Sequence, residues 1–233
     1  MKDFSNRYIF LFAVVMVVIV AAVLSTAAML LQPLQQANMI IEKKLNILSS
    51  VGVEAGKDDV FERFEEAIEQ SYAINHKGEV IEGVDAFEVD LRVEQRKPLE
   101  EQNLPLFIAR LDDEREAIII PLEGRGLWGP IFGYIALEED MNTVFGINLD
   151  HQGETPGLGA EINTSWYEAK FRGKKIFDGD RFVSIRVVKG GAPADDQHAV
   201  DAISGGTITS NGLQDMLYDN LEKYLNYFNA RRD

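Results

Sequence analysis

The sequence predicts an α+β fold in which a single N-terminal transmembrane helix is followed by one soluble α+β domain. Three patterns predict it: an uncharged apolar run near the N-terminus, a series of short β-type runs in the middle of the chain, and an amphipathic helical pattern at the C-terminus. No internal repeat or low-complexity tract interrupts this order. We therefore expect residues 1–34 to form an anchor segment and residues 35–233 to form one domain.

The anchor is predicted from the 24 residues Tyr8 to Leu31, which contain no charge, no proline and no glycine. As a helix they would cover roughly 36 Å, against a hydrocarbon core of about 30 Å. A cleaved signal peptide is the alternative, since Lys2 and Arg7 precede the run and residues 25–27 resemble a cleavage site. The apolar region of a signal peptide is only about 7–15 residues long. A retained transmembrane helix over about residues 8–31 is therefore favoured.

The chain is acidic, with 38 acidic residues, 23 basic residues and a formal net charge of −15. This charge opposes attraction to phosphate backbones, so no nucleic-acid partner is expected. The absence of cysteine excludes disulfides, thiolate metal sites, iron-sulfur clusters and thiol catalysis. Lys2 and Arg7 lie closer to the apolar run than Lys43 and Lys44 do, which favours a cytoplasmic N-terminus and a domain on the outer side.

The domain is predicted to begin with two helices and to continue with strands. Helical spacing predicts helices over residues 35–51 and 58–72, a short helix over 165–171 and an amphipathic helix at the C-terminus. β-type runs predict strands over residues 80–81, 86–91, 106–109, 117–121, 131–137, 143–149 and 182–188. In the last strand we expect Ser184 and Arg186 to face outward. Asn211 and Gln214 resemble a capping box at the start of the terminal helix, although Asn211-Gly212 suits a tight turn equally well.

Gly124, Gly126 and Gly129 match the spacing G-x-G-x-x-G and follow a predicted strand. In a dinucleotide-binding fold the motif opens a helix that receives the pyrophosphate. Here the strand-like residues 131–137 follow instead. The sequence therefore predicts a glycine-rich hairpin, in which Trp128 is either a packed aromatic residue or a flat surface for a ligand.

The three histidines, His76, His151 and His198, are too scattered to predict a metal site. Ser204 and His151 with an acidic residue would allow a hydrolase triad, but nothing specific favours one. No metal ligand and no catalytic residue is therefore assigned.

The segment from Asp201 to Ser210 combines small residues with four hydroxyls and lies just before the terminal helix. Gly205 and Gly206 would let backbone N–H groups approach an anion, and a helix N-terminus would add a favourable dipole. A hydroxyl-rich capping turn is the other interpretation, and the residues alone favour it. No glycine-lysine-serine or glycine-lysine-threonine sequence is present, so a nucleotidase-type phosphate loop is excluded.

Taken together, these segments resemble the C subunit of the sodium-translocating NADH:quinone reductase of bacteria and, more distantly, the G subunit of the Rnf electron-transport complex. The resemblance covers nearly the whole chain. It is most specific at the covalent-flavin motif, where the family carries FMN on a threonine through a phosphoester. That threonine corresponds to Thr207, with Asp201, Ser204 and Gly205 as the motif's aspartate, serine and glycine. Gly206 stands where the family has alanine; since both residues are small, covalent attachment is still expected.

The same resemblance implies that Glu154, Thr155 and Leu158 lie against the isoalloxazine ring and that Trp128 belongs to the same wall. Leu158 would supply an apolar contact and Thr155 a hydroxyl. These residues and those of the motif form the expected cofactor site.

The resemblance implies a single-pass flavoprotein of the bacterial inner membrane whose FMN-binding domain is periplasmic. Such a protein relays electrons inside a sodium-pumping NADH:quinone reductase without an NADH or quinone site of its own. Its implied partners are the other membrane subunits and a flavin transferase that installs FMN. The alternative is a membrane-tethered periplasmic binding or sensor domain without a redox cofactor, in which the Thr207 segment holds a free anion or only caps a helix.

Overall fold

The computed structural model describes residues 5–111 and 115–232. The chain divides into two compact units, one ending at Lys43 and the other beginning at Lys44. Helix α1, Asn6–Ser50, runs from the first unit into the second and contains the apolar run predicted as the anchor. Within the described residues it is the one helix that is long and apolar enough to cross a membrane.

The predicted boundary between residues 34 and 35 falls inside α1, because the helix continues through Pro33. A proline removes one backbone hydrogen bond from a helix. The predicted membrane-proximal helix over residues 35–51 is therefore the last part of one 45-residue helix.

The second unit is built on a six-stranded antiparallel sheet of order β2-β1-β3-β4-β5-β6. The strands are β1 Ile68–Ile74, β2 Val80–Ile81, β3 Leu104–Arg110, β4 Glu116–Arg125, β5 Pro130–Glu138 and β6 Val144–His151. The pair β4 and β5 is the longest hairpin, with nine residue pairs from Ala117–Glu138 to Arg125–Pro130. The fold is α+β, as predicted.

Both faces of this sheet are covered. Along β4, Ile118, Ile120 and Leu122 point into one apolar cluster, while Ala117 and Ile119 point into the other. This alternation follows from the two-residue period of a strand. The first cluster contains residues of the C-terminal helices, and the second contains residues from the end of α1.

The other elements surround the sheet. The helices are α2 Val60–Ala67, α3 Leu91–Glu94, α4 Ser165–Glu168, α5 Thr207–Leu221 and α6 Leu225–Asn229. Strands β7 Phe177–Asp178 and β8 Arg181–Phe182 form a small antiparallel pair. Strands β9 Arg186–Val188 and β10 Ala199–Asp201 form a parallel pair beside α5.

Two predicted elements in the first half of the domain are wrong. The helix predicted over residues 58–72 ends at Ala67, and the chain continues as β1, since pairing with β3 satisfies the backbone from Ile68 onward. The strand predicted over residues 86–91 is a turn region that leads into α3. There the side chains of Asp85 and Asp90 accept hydrogen bonds from the N–H groups two residues further on.

Two further predictions in the second half are wrong. The strand predicted over residues 182–188 is divided between β8 and β9 by Ser184, which has φ 56°, in the left-handed region. Ser184 is also buried rather than facing outward, whereas Arg186 is exposed as expected. The terminal helix begins at Thr207, four residues before the predicted capping box. Predicted strands at 80–81, 106–109, 117–121, 131–137 and 143–149, and the short helix at 165–171, are confirmed in position.

Candidate functional site

The tip of the β4–β5 hairpin forms one side of the candidate site. The Gly126 N–H donates to the Gly129 carbonyl oxygen at 2.9 Å, which closes the turn. Strand β5 follows directly, so the glycine motif does not open a helix and the exclusion of a dinucleotide fingerprint holds. Trp128 at the tip is 70% exposed. The interpretation of Trp128 as a packed core residue is therefore wrong, and its ring is available as a surface.

Glu154 lies inside the fold and joins three segments. It is 5% exposed. Its Oε1 accepts a hydrogen bond from the Trp128 backbone N–H at 2.9 Å, and its Oε2 accepts one from Thr209 Oγ1 at 2.6 Å. The carboxylate therefore connects the loop after β6, the hairpin tip and the first turn of α5.

The glycines around this carboxylate are required by the space available. A Cβ on Gly126 would overlap Glu154 Oε1, and a Cβ on Gly159 would overlap both Glu154 Oε2 and Thr209 Oγ1. Gly212 approaches the Arg125 carbonyl oxygen closely, which holds α5 against the end of β4. A side chain at any of these positions would have to displace the Glu154 carboxylate, the Thr209 hydroxyl or the backbone of Arg125.

The segment between β10 and α5 places the predicted acceptor at a helix start. Gly205 has φ +77°, which favours glycine, and a Cβ there would lie 2.5 Å from Leu158 Cδ2. Gly206 is the N-cap of α5 and makes no side-chain cap. A Cβ on Gly206 would lie 3.1 Å from Ile203 Cγ2, so glycine avoids a tight contact at this position. Thr207 is the first residue of the helix.

The four hydroxyls of this segment fall into two groups. Thr209 and Ser210 are each 1% exposed. Thr209 donates to Glu154, and Ser210 Oγ accepts from the Ile203 N–H at 3.0 Å. Thr207 is half-buried and Ser204 is exposed. Only the second group is open to a reagent from solvent.

Asp201 is held by groups other than the predicted acceptor. Its Oδ2 lies 2.6 Å from Lys170 Nζ, and its Oδ1 accepts from the Ala192 N–H at 2.8 Å. The Lys170 ammonium, followed by the Ala192 N–H, holds the pKa of the Asp201 carboxyl below its ordinary value. In this structure Asp201 therefore fixes the end of β10.

An exposed apolar surface adjoins these elements. Leu158, at 41% exposure, packs over Gly205, and its N–H donates to the Thr155 carbonyl oxygen at 3.0 Å. Ile208, in the first turn of α5, is also exposed. Leu158 and Ile208 therefore present apolar area at the start of α5, and the ring of Trp128 is exposed at the hairpin tip. The sequence analysis did not predict Thr209 or Ile208 as residues of the site. Ile208 could have been predicted, because it is an apolar residue next to the motif threonine.

Within the part of the chain that the structure describes, no group of three His, Cys, Asp or Glu side chains is arranged to hold a metal ion. His151 Nδ1 accepts a hydrogen bond from the Glu154 N–H at 3.3 Å, and His198 Nδ1 lies 2.7 Å from the Lys175 carbonyl oxygen. Both imidazoles therefore have local structural roles.

Comparison with known proteins gives a consistent result. Residues 126–222 match the model of the FMN-binding domain family, a range that includes Trp128, Glu154 and Thr207. The chain is 36% identical to the C subunit of the Na(+)-translocating NADH-quinone reductase of Vibrio campbellii, over 82% of this chain and 81% of the relative. It is 33% identical to the corresponding protein of Neisseria meningitidis serogroup A, over 91% of this chain and 88% of the relative.

Two crystal structures are also similar. The C subunit of the Na(+)-translocating NADH-quinone reductase from Parabacteroides distasonis has a TM-score of 0.78 and 40% identity, covering 85% of this chain and 96% of that one. The NqrC protein of Shewanella oneidensis has a TM-score of 0.73 and 27% identity, covering 84% of this chain and 99% of that one. The FMN-binding match favours a flavoprotein over a sensor domain without a redox cofactor. Sequence and fold together place the chain in the NqrC family, the C subunits of Na(+)-translocating NADH-quinone reductases.

Proposed function

We propose that this chain is the membrane-anchored flavin subunit of a sodium-pumping NADH:quinone oxidoreductase, and that it relays electrons through FMN attached to Thr207 by a phosphoester bond. The observation that carries the assignment of Thr207 is the division of hydroxyls in the 201–210 segment. Thr209 and Ser210 are buried and hydrogen-bonded, whereas Thr207 is partly open to solvent at the start of α5. The accessible hydroxyls are those of Ser204 and Thr207. Of these two, only Thr207 stands at the start of α5 and corresponds to the threonine of the motif.

The surroundings of Thr207 fit an esterified phosphate. Helix α5 has 15 residues and no side-chain cap, so its first N–H groups point toward the region that a phosphate on Thr207 would occupy. The helix dipole adds attraction for an anion there. Gly205 and Gly206 keep side chains out of this approach. These features favour binding of an anion at the start of α5, although the chain as a whole has a net charge of −15.

The exposed apolar side chains fit the ring of the flavin. Leu158 offers an exposed aliphatic surface and Trp128 an exposed aromatic one, and the Trp128 backbone is joined to Glu154 by a hydrogen bond. When bound, FMN supplies one- and two-electron redox chemistry. The protein groups bind the phosphate, orient the ring and limit its access to water.

We propose that neither NADH nor quinone binds to this chain directly. In support, the glycine motif at residues 124–129 turns a hairpin and lacks the helix that a nicotinamide dinucleotide site requires. Electrons would then enter and leave through the other membrane subunits of the complex. A flavin transferase installs the cofactor from an activated flavin donor: the Thr207 Oγ–P bond forms while the phosphorus loses the donor's leaving group and the hydroxyl loses its proton. Such a transfer requires a catalyst that positions the two groups.

We further propose that residues 8–31 of α1 span the inner membrane once and that the domain faces the periplasm. The span is supported by the length and apolar composition of this part of α1, whose residues 8–31 carry no charge and are all exposed. The orientation is supported by Lys2 and Arg7 near the cytoplasmic end of the predicted span.

The test of the attachment site is peptide mass spectrometry on the full chain co-expressed with a flavin transferase. We expect FMN on the peptide that contains Thr207. Thr207→Ala should abolish flavin fluorescence that survives denaturation, and Thr207→Ser, which keeps a hydroxyl at the helix start, should retain at least part of it. Covalent FMN on Ser204 or Thr209, or its persistence in Thr207→Ala, would refute the assignment.

A further inference from the structure

Thr209 stands two residues after the proposed acceptor and is almost completely buried. Its hydroxyl donates to Glu154 Oε2 at 2.6 Å, and the Trp128 N–H donates to the other oxygen of the same carboxylate at 2.9 Å. A single carboxylate thus ties the first turn of α5 to the hairpin tip. We name this group, Thr209, Glu154 and the Trp128 N–H, the carboxylate clamp.

Both hydrogen bonds of the clamp are charge-assisted, which makes them stronger than neutral ones. A buried carboxylate that loses a donor keeps its desolvation cost without the compensating bond. Gly126 and Gly159 approach the two carboxylate oxygens so closely that a methyl group would overlap them. A replacement water therefore has little room beside the oxygens, and losing the Thr209 hydroxyl favours separation of the three segments.

The segments that the clamp joins carry the residues predicted to surround the flavin. The hairpin carries Trp128, the loop after β6 carries Leu158, and α5 carries Thr207 at its start. Gly159 is close both to the clamp and to Gly206, the N-cap of α5. A Cβ on Gly159 would overlap the clamp, and a Cβ on Gly206 would be 3.3 Å from the Gly159 backbone N. Separation at the clamp therefore changes the position of both apolar walls relative to the attachment point.

On the basis of the proposed attachment at Thr207, we propose that Thr209 is a positioning residue: its hydroxyl, through Glu154, holds the hairpin and the 154–159 loop so that the flavin ring has one sheltered pose. Thr209 neither accepts the phosphate nor touches the reacting ring. Loss of its hydrogen bond should leave the phosphoester intact and shift the balance between sheltered and open ring by roughly ten- to a hundredfold.

The experiment uses the flavinylated full chain in detergent, with wild type and three variants: Thr209→Val, Thr209→Ser and Thr143→Val. Thr143 is the matched control, since its Oγ1 also donates to a carboxylate, Asp140 Oδ2, at 2.6 Å, but at the opposite end of β5. Peptide mass spectrometry first establishes that FMN is on Thr207 in the wild type and in each variant. Quenching of flavin fluorescence by iodide then measures ring exposure, and a redox titration measures the flavin midpoint potential.

We expect Thr209→Val to keep covalent FMN, to increase the iodide quenching constant at least threefold and to change the midpoint potential. Thr209→Ser should match wild type, because the donor is restored, and Thr143→Val should also match it. The proposal is wrong if the iodide quenching constant of Thr209→Val equals that of the wild type. It is also wrong if the constant of Thr209→Ser equals that of Thr209→Val. If Thr209→Val does not fold, Thr209→Ala, which also removes the donor to Glu154 Oε2 but leaves more space beside it, decides in the same way by whether quenching rises. A wild-type protein without FMN on Thr207 would overturn the proposed function and, with it, this inference.

Discussion

The close approach of Gly159 to the carboxylate clamp gives a stability prediction that does not require bound flavin. In Gly159→Ala the added methyl overlaps Glu154 Oε2 and Thr209 Oγ1, so either the loop or the clamp must move. Overpacking in a close-packed interior costs about 1–3 kcal/mol. Loss of a hydrogen bond to a buried carboxylate costs about 1.5–3 kcal/mol. A movement that relieves the overlap also weakens the hydrogen bond, so the two costs do not simply add. We expect the free energy of unfolding to fall by about 3 kcal/mol.

For a domain of this size, about 1 kcal/mol shifts the midpoint of thermal unfolding by about 2–4 °C. Gly159→Ala should therefore lower the midpoint of the flavin-free protein by roughly 6–12 °C, measured by circular dichroism on the full chain in detergent. The matched control is Gly153→Ala in the same loop, where a Cβ meets nothing within 4 Å. It should change stability by no more than about 0.5 kcal/mol, or raise it slightly through the unfolded chain. Midpoints for the two variants within about 1 °C of each other would refute the reasoning, since the clamp would then tolerate displacement at no cost.

Three further predictions concern the Asp201 ion pair, the membrane topology and the assembly with other subunits. The pKa of Asp201 is lowered in the folded state, so its contribution to stability is present above the ordinary aspartate pKa and is lost as pH falls through the folded-state pKa. Because the pair with Lys170 is solvent-exposed, Lys170→Met should lower the free energy of unfolding at pH 7 by about 0.5 kcal/mol, with a smaller difference near pH 3 in denaturant titrations; a difference that grows toward acid would contradict this assignment. Protease added to intact spheroplasts should digest the domain; protection of the domain until the membrane is lysed would contradict the proposed topology. The tagged chain should co-purify with other membrane subunits in mild detergent, and a chain that purifies alone would contradict the proposed assembly.

The sequence predicted the central hairpins because their signal is local. Alternating apolar residues along β4 and β5 face two different clusters, and the glycines between these strands mark the turn. The predictions that were wrong involve residues whose partners lie far away in sequence. Ile68 and its neighbours have helical spacing but pair with β3, some 40 residues further on. Ser184 is buried by packing that no alternating pattern encodes.

The candidate site shows the same limit. The family was identified from the sequence, whereas the motif residues remain a prediction and Glu154 was predicted only as a contact of the ring. Its partners come from a hairpin 26 residues earlier and a helix 55 residues later. Neither separation follows from a local pattern, so a carboxylate that closes the fold is indistinguishable in sequence from one that faces a ligand.

The geometry of α5 explains why two threonines in the sequence Thr207-Ile208-Thr209 have different surroundings. Successive residues of an α-helix are rotated by about 100°, so side chains two positions apart point about 200° apart. The start of the helix at Thr207 and the burial of Thr209 against Glu154 therefore turn Thr207 away from the core. With the helix starting at Asn211, as the capping box had predicted, both threonines would lie in a loop and no such division would exist. The buried hydrogen bond of Thr209 thus fixes the direction in which Thr207 faces. Just over half a helical turn separates the hydroxyl that we propose as the flavin acceptor from the hydroxyl that we propose as the positioning group.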